Sequence, residues 1–388
     1  MSRPLRIVLS AGEASGDRLG AGLARALREL HPGIELSGMG GDEMEAAGVT
    51  LVQHAKDVAV VGLVEVLRHL PAIRRAMGRL EETLRASPPD LLVPIDFPDF
   101  NLRLAARAKK AGVPIVYYVS PQVWAWRRGR VRTIRDLVRR MLVLFPFESS
   151  FYEHEGVPAT FTGHPAAAAR VRERREVLLP RLGLDPRHRI VALLPGSRRG
   201  EVSRVFPVLL RAAEELVPTN PDVRFVVPQA GTLPEGFLES IAVRYPLARF
   251  TVVRGEYPGI LEVADAAAVA SGTATLDAAL AGVPFVAVYR MQPLSYLIAR
   301  WLVKVDHIAL PNLVAGARVV PELVQGECTP EAVAAHLRGF LDEPAKAEAL
   351  REGLAGIRAK LAGDGAYRRA AEAILAESAA GMLKSAPP

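Results

Sequence analysis

Two stretches of this 388-residue chain carry residue types suited to holding an anion, and a third sets a carboxylate where a ligand would enter a cleft. Residues 190–202 read IVALLPGSRRGEV: an apolar run stops at Pro195, turns through Gly196 and Ser197, sets down Arg198 and Arg199, and resumes with helical spacing. A strand, a tight loop and a helix start aim free backbone N–H groups and the positive end of a helix dipole at one point. The two arginines bias that point toward phosphate. Residues 266–281, AAAVASGTATLDAALA, repeat the junction, with Ser271, Gly272 and Thr273 in the turn and Asp277 in the helix. Together the two loops suit a diphosphate and its attached sugar. Every parallel α/β sheet has such turns, so either loop alone is a weak motif.

The third stretch is residues 91–101, LLVPIDFPDFN, where Asp96 is the first polar residue past a continuous apolar strand, with Asp99 and Asn101 behind it. Open α/β sheets bind ligands outside the carboxyl ends of their strands, which makes Asp96 the best placed of these to reach a cleft. The N-terminal loop AGEASGD also follows a strand, but Glu13 and Asp17 repel phosphate. With Ser15 they suit hydroxyls, and Asp17 reads equally well as a helix cap. A further strand-end loop, SPQVWAWRRGRVR, brings Trp124 and Trp126 as a platform for sugar or acyl chain and Arg127, Arg128, Arg130 and Arg132 for phosphate. Packing and a solvated helix face are the alternatives there.

The elements needed to position these residues follow from the alternation of apolar strands with helical segments along the whole chain, which means parallel sheets with right-handed crossovers. The expected fold class is α/β, with two Rossmann-like parallel-sheet domains facing across a cleft and a helical C-terminus. A charged, proline-rich stretch at 165–189 marks the boundary, giving domains at 1–170 and 171–365, then a helix and a disordered tail at 366–388.

Composition bounds the partners. Lys and Arg number 49 against 42 Asp and Glu, a formal charge of +7 that favours anionic ligands. The single cysteine, Cys328, excludes an internal disulfide, and the eight scattered histidines suggest no metal site. The apolar run at the N-terminus is too short for a signal peptide, so the expected location is the cytoplasm. The apolar residues 58–70, including Val61, Leu63, Val64, Val66 and Leu67, run into Arg68, Arg74, Arg75 and Arg79. That composition fits a helix lying on an anionic membrane surface, or a core helix followed by a solvated one, and alone it favours the core helix.

Eight motifs in order, AGEASGD with LGAGL, VGLVEVL, IDFPDFN, YVSPQVWAWRRGRV, TGHP, LLPGSRRGEV, ASGTATLDAAL and PNLVAGARVVPELVQ, make the chain resemble the lipid-A-disaccharide synthases, inverting glycosyltransferases of the GT-B type. The resemblance implies transfer of a diacylglucosamine unit from UDP-2,3-diacylglucosamine to 2,3-diacylglucosamine 1-phosphate (lipid X), giving a β-1,6-linked disaccharide 1-phosphate and UDP. It implies work at the cytoplasmic face of the inner membrane and shifts residues 58–79 to a membrane-facing reading. It places the acceptor with the N-terminal domain, near Glu13, Ser15, Asp17, Asn101, Trp124, Arg127 and Arg128, and makes Asp96 the base in a single displacement. It places the donor with Gly196, Ser197, Arg198, Arg199, Ser271, Gly272, Thr273, Asp277 and Asn312, Arg198 meeting the leaving charge with no metal or other cofactor. Asp277 stands where the family pattern has glutamate, which points to a water-bridged ribose contact.

The nearest rival is a UDP-N-acetylglucosamine 2-epimerase or another GT-B glycosyltransferase, which shares both phosphate loops but needs neither residues 58–70 nor the tryptophan–arginine loop. A glycoside hydrolase needs two opposed carboxylates, which Asp96 and Asp99 are too close in sequence to supply by assumption. A non-catalytic nucleotide-sugar-binding protein is a remoter alternative. No recognisable RNA-binding pattern is present, so no nucleic-acid partner is expected. The helical C-terminus allows a homodimer.

Overall fold

The computed structural model describes residues 3–58, 63–125, 129–168, 173–248, 250–255, 257–292, 296 and 306–385, with only the backbone for 63–69 and 381–385. The first half alternates β1 (Arg6–Ala11), α1 (Ala14–Leu30), β2 (Glu35–Gly40), α2 (Asp42–Ala46), β3 (Thr50–His54), α3 (Leu63–Ala86), β4 (Leu91–Ile95), α4 (Pro98–Lys110), β5 (Val116–Tyr118), α5 (Arg130–Leu137), β6 (Arg140–Val143), α6 (Pro146–His154) and β7 (Ala159–Phe161). The second continues with α7 (Arg175–Arg181), β8 (Arg189–Leu194), α8 (Arg199–Leu216), β9 (Val223–Gln229), α9 (Phe237–Ala242), β10 (Phe250–Arg254), α10 (Tyr257–Val263), β11 (Ala266–Ala270), α11 (Thr273–Ala281), β12 (Phe285–Tyr289), α12 (Leu310–Ala315), β13 (Glu322–Val324), α13 (Pro330–Asp342), α14 (Pro344–Lys360) and α15 (Ala366–Ser385).

The strands form two sheets, ordered β3-β2-β1-β4-β5-β6-β7 and β10-β9-β8-β11-β12-β13, and every neighbouring pair is parallel. Helices cover both faces of such sheets, which is why β4 (LLVPI) and β11 (AAAVA) are apolar without alternation and buried at every position. In each sheet the chain starts in the middle, builds outward, then returns to the other side. The order therefore reverses between β1 and β4 in the first sheet and between β8 and β11 in the second. Crevices at such reversal points are where open α/β sheets take ligands.

The chain divides into two compact units, one made of Met1–Ala168 with Ala362–Pro388 and the other of Ala169–Leu361. The C-terminal helix α15 thus belongs with the first unit. Ala370, Ala371 and Ile374 join the core of Leu23, Leu27 and Leu9, and the Arg140 guanidinium meets Glu377 at 2.7 Å. Among the described residues no helix is long and apolar enough to cross a membrane.

Candidate active site

At the first reversal point the loop after β1 meets the loop after β4. Gly12 lies flat against the Phe97 ring, so that a Cβ there would stand 2.2 Å from a ring carbon. Asp96 (φ 47°) and Phe97 (φ 49°) are both left-handed, and Val119 (φ 68°) just past the adjacent β5 is a third such residue. Side chains other than glycine pay about 1–3 kcal/mol each for this conformation, and it persists only where the surroundings over-determine it. Here they do. The Asp96 N–H donates to the Tyr118 carbonyl at 3.0 Å, while the Asp96 carbonyl accepts from Asn101 Nδ2 at 2.8 Å and Tyr117 Oη at 2.6 Å.

The backbone is therefore clamped, and the Asp96 carboxyl is left for other work. Burial pushes its pKa up to about 6, and the neighbouring Glu13 carboxylate acts in the same direction, against a hydrogen bond from the Phe97 N–H. A carboxyl group poised near neutrality at a strand end has the acid–base properties of a general base.

Several residues expected beside it have structural tasks instead. Asp17 is buried and does not cap its own helix: its carboxylate accepts from the N–H groups of Gly41 (2.7 Å), Glu43 (3.1 Å) and Met44 (3.1 Å), closing the start of α2. Asn101 is fully buried, donating to the carbonyls of Ser10, Ile95 and Asp96 and accepting from Ser10 Oγ at 2.7 Å, so it ties β1 to the Asp96 loop and has no face for an acceptor sugar. Trp124 is buried too. Its indole N–H donates to Glu148 Oε1 at 3.1 Å and its ring meets Phe147 edge-on, so packing replaces the expected open platform. Glu13 and Ser15 are exposed, and exposed Asp99 pairs with Arg130. Arg127, Arg128, Trp126 and Val61 lie outside the described residues, as do the side chains of Leu63, Val64, Val66 and Leu67.

The second reversal point carries the opposite charge. After β8, Gly196 (φ +108°) turns the chain, Ser197 and Arg198 are exposed, and Arg198 caps the start of α8 with no side-chain cap of its own. Arg199 lays its guanidinium over the Phe237 ring at 5.6 Å, so the expected phosphate ligand is engaged by α9. After β11, Ser271 Oγ donates to the Ile308 carbonyl, Thr273 is exposed, and α11 opens at Gly272 with no side-chain cap. Its first N–H groups are thus free of any side-chain acceptor of that kind. Asp277 accepts from the Tyr257 hydroxyl at 2.9 Å. Asn312 is fully buried and saturated, donating to Val320 O and Glu322 Oε1 (2.8 Å each) and accepting from the N–H groups of Val319 and Val320. It braces the entry to α12.

Residues not singled out from the sequence complete both loops. Tyr117 holds the Asp96 carbonyl, and burial keeps its phenol protonated. Glu201 holds the phosphate-type loop, its carboxylate accepting from the Ser197 N–H at 3.4 Å and from the Arg198 N–H. Its position three residues into the helix was the available signal, because glutamate there reaches back to the cap. Among the described residues no three His, Cys, Asp or Glu side chains converge as metal ligands.

Solved structures share this architecture. A putative UDP-N-acetylglucosamine 2-epimerase from Listeria monocytogenes superposes with a TM-score of 0.69 at 14% identity, covering 100% of this chain and 99% of that one. The calicheamicin glycosyltransferase CalG4 gives 0.57 at 19% identity, covering 100% of both chains. Two parallel-sheet, Rossmann-like units are the GT-B architecture that glycosyltransferases and related epimerases share. Within it, residues 7–373 match the family model for lipid-A-disaccharide synthetase. The lipid-A-disaccharide synthase of Geobacter sulfurreducens is 47% identical over 372 residues, 95% of this chain and 96% of that protein. That of Myxococcus xanthus is 44% identical over 378 residues, 97% of this chain and 98% of its own length. The chain belongs to the lipid-A-disaccharide synthetase family.

Proposed function

We propose that this chain is the glycosyltransferase that joins UDP-2,3-diacylglucosamine to 2,3-diacylglucosamine 1-phosphate, forming the β-1,6-linked disaccharide 1-phosphate and UDP. The observation that carries the chemistry is Asp96: a carboxyl with a pKa near 6, on a backbone clamped by Asn101, Tyr117 and Tyr118, at a strand-order reversal. Asp96 takes the proton of the acceptor 6-hydroxyl as that oxygen bonds to the anomeric carbon. The bond from that carbon to the diphosphate oxygen breaks on the opposite face, and its electron pair leaves with UDP. Arg198 and the open start of α11 meet the charge that develops on the diphosphate.

Both substrates carry acyl chains, so the reading includes work at the inner-membrane surface. The exposed Arg74 and Arg75 of α3 supply cationic side chains for anionic headgroups. The test is UDP release by purified protein from UDP-2,3-diacylglucosamine with and without the 1-phosphate acceptor. Acceptor-dependent release with a disaccharide product supports the reading. Turnover of UDP-N-acetylglucosamine alone would move it to the epimerase.

A further inference from the structure

A carboxylate sits in the loop that is meant for phosphate. The Glu201 side chain folds back under the turn, so close to Gly196 that a Cβ there would stand 2.2 Å from Glu201 Oε2. It accepts from the N–H groups of Ser197 and Arg198, and Thr232 Oγ1 fixes the other side of the turn by donating to the Ser197 carbonyl at 2.6 Å. Burial pushes the Glu201 carboxyl above its ordinary range, against the Ser197 and Arg198 N–H groups and the charges of Arg198 and Arg204 that favour the carboxylate. Its charge adds to burial in pushing up the Tyr289 phenol at the end of β12. A neutral glutamine or a serine would cap the same N–H groups without placing a negative charge beside a diphosphate.

We propose that Glu201 sets the site's preference between donor and product: its carboxylate shapes the loop for an anion while penalising the more highly charged of two diphosphates. This inference rests on the donor reading of the Arg198 loop. In UDP-sugar the diphosphate is a diester with two negative charges. Once the sugar leaves, the terminal phosphate gains a further ionisation with a pKa of about 6, so the diphosphate as a whole is largely trianionic at neutral pH. A loop lined with arginine and backbone N–H alone binds that product more tightly than the substrate and holds the enzyme in its product complex. The fixed carboxylate opposes this, since repulsion grows with ligand charge.

The experiment compares Glu201→Gln with the full-length wild-type chain, measuring the KM for UDP-2,3-diacylglucosamine and the inhibition constant of UDP in the same assay. Glutamine keeps the acceptor oxygen and the shape and removes the charge. The expected result is a donor KM lowered about threefold and a UDP inhibition constant lowered about tenfold, so that product inhibition deepens. The ratio of the two constants does not depend on the fraction of folded enzyme, so a less stable variant still gives an answer. An unchanged ratio, or both constants raised, overturns the role of Glu201 alone and leaves a plain helix cap. A wild-type chain that UDP neither binds nor inhibits overturns the donor reading, and this inference with it.

Discussion

The β1/β4 and β8/β11 reversal points are built on the same plan, a strand, a tight turn and a helix start on either side of the place where strand order changes direction, yet they hold opposite charges. The first sets the Asp96 carboxyl beside Glu13 and strains two consecutive residues to do so. The second exposes Arg198 and leaves α11 uncapped by any side chain. Backbone geometry supplies the same half-positive helix start in both. The side chains of the turn then decide whether the helix start presents a guanidinium or a carboxyl.

Breaking the braces separates the two. Asn101→Ala removes a fully buried side chain with four hydrogen bonds, three of them to main-chain carbonyls. Denaturant melts should show a loss of about 2–4 kcal/mol, together with a fall in kcat, because the Asp96 carbonyl keeps only Tyr117 of its two partners. Asn312→Ala, at the other site, should cost a similar amount while leaving the pH profile unchanged. Arg198→Ala should weaken UDP binding by about 10- to 100-fold in a calorimetric titration, the usual worth of a charged contact to phosphate.

Asp96→Asn sharpens the electrostatic half of the comparison. A carboxyl raised from 3.8 to about 6 favours the fold while neutral, a contribution present below pH 4 and lost as pH rises through 6. At pH 8 the ionised group therefore costs stability, about 1–2 kcal/mol after allowing for its partial exposure, and the asparagine variant should melt higher there. In the wild type, kcat/KM should rise with pH through an apparent pKa of about 6. The smallest effect is Tyr257→Phe, which deprives Asp277 of one hydrogen bond and should change donor KM by about threefold or less.

Much of this was legible in the sequence, for physical reasons. Strands covered on both faces show as unbroken apolar runs, so β4, β8 and β11 and the loops after them are readable directly. The residues whose side chains turn inward share one cause. Asp17, Asn101 and Asn312 lie near strand ends and look available to a ligand, but buried backbone N–H and carbonyl groups need partners, and these side chains provide them. Residue type and position do not reveal which way such a side chain turns. Trp124 fails likewise, because its partner Glu148 lies 24 residues away on α6. The attachment of α15 to the first unit depends on which amphipathic face meets α1, a pairing that local periodicity does not encode.

The central claim is that one reversal point performs the proton transfer and the other holds the nucleotide. Its most direct test is Asp96→Asn assayed twice, once for disaccharide formation and once for UDP affinity by titration. Transfer should fall about 1,000-fold while the Kd for UDP stays within about twofold of wild type. Transfer that survives the substitution, or a UDP affinity that collapses with it, would contradict the division of labour.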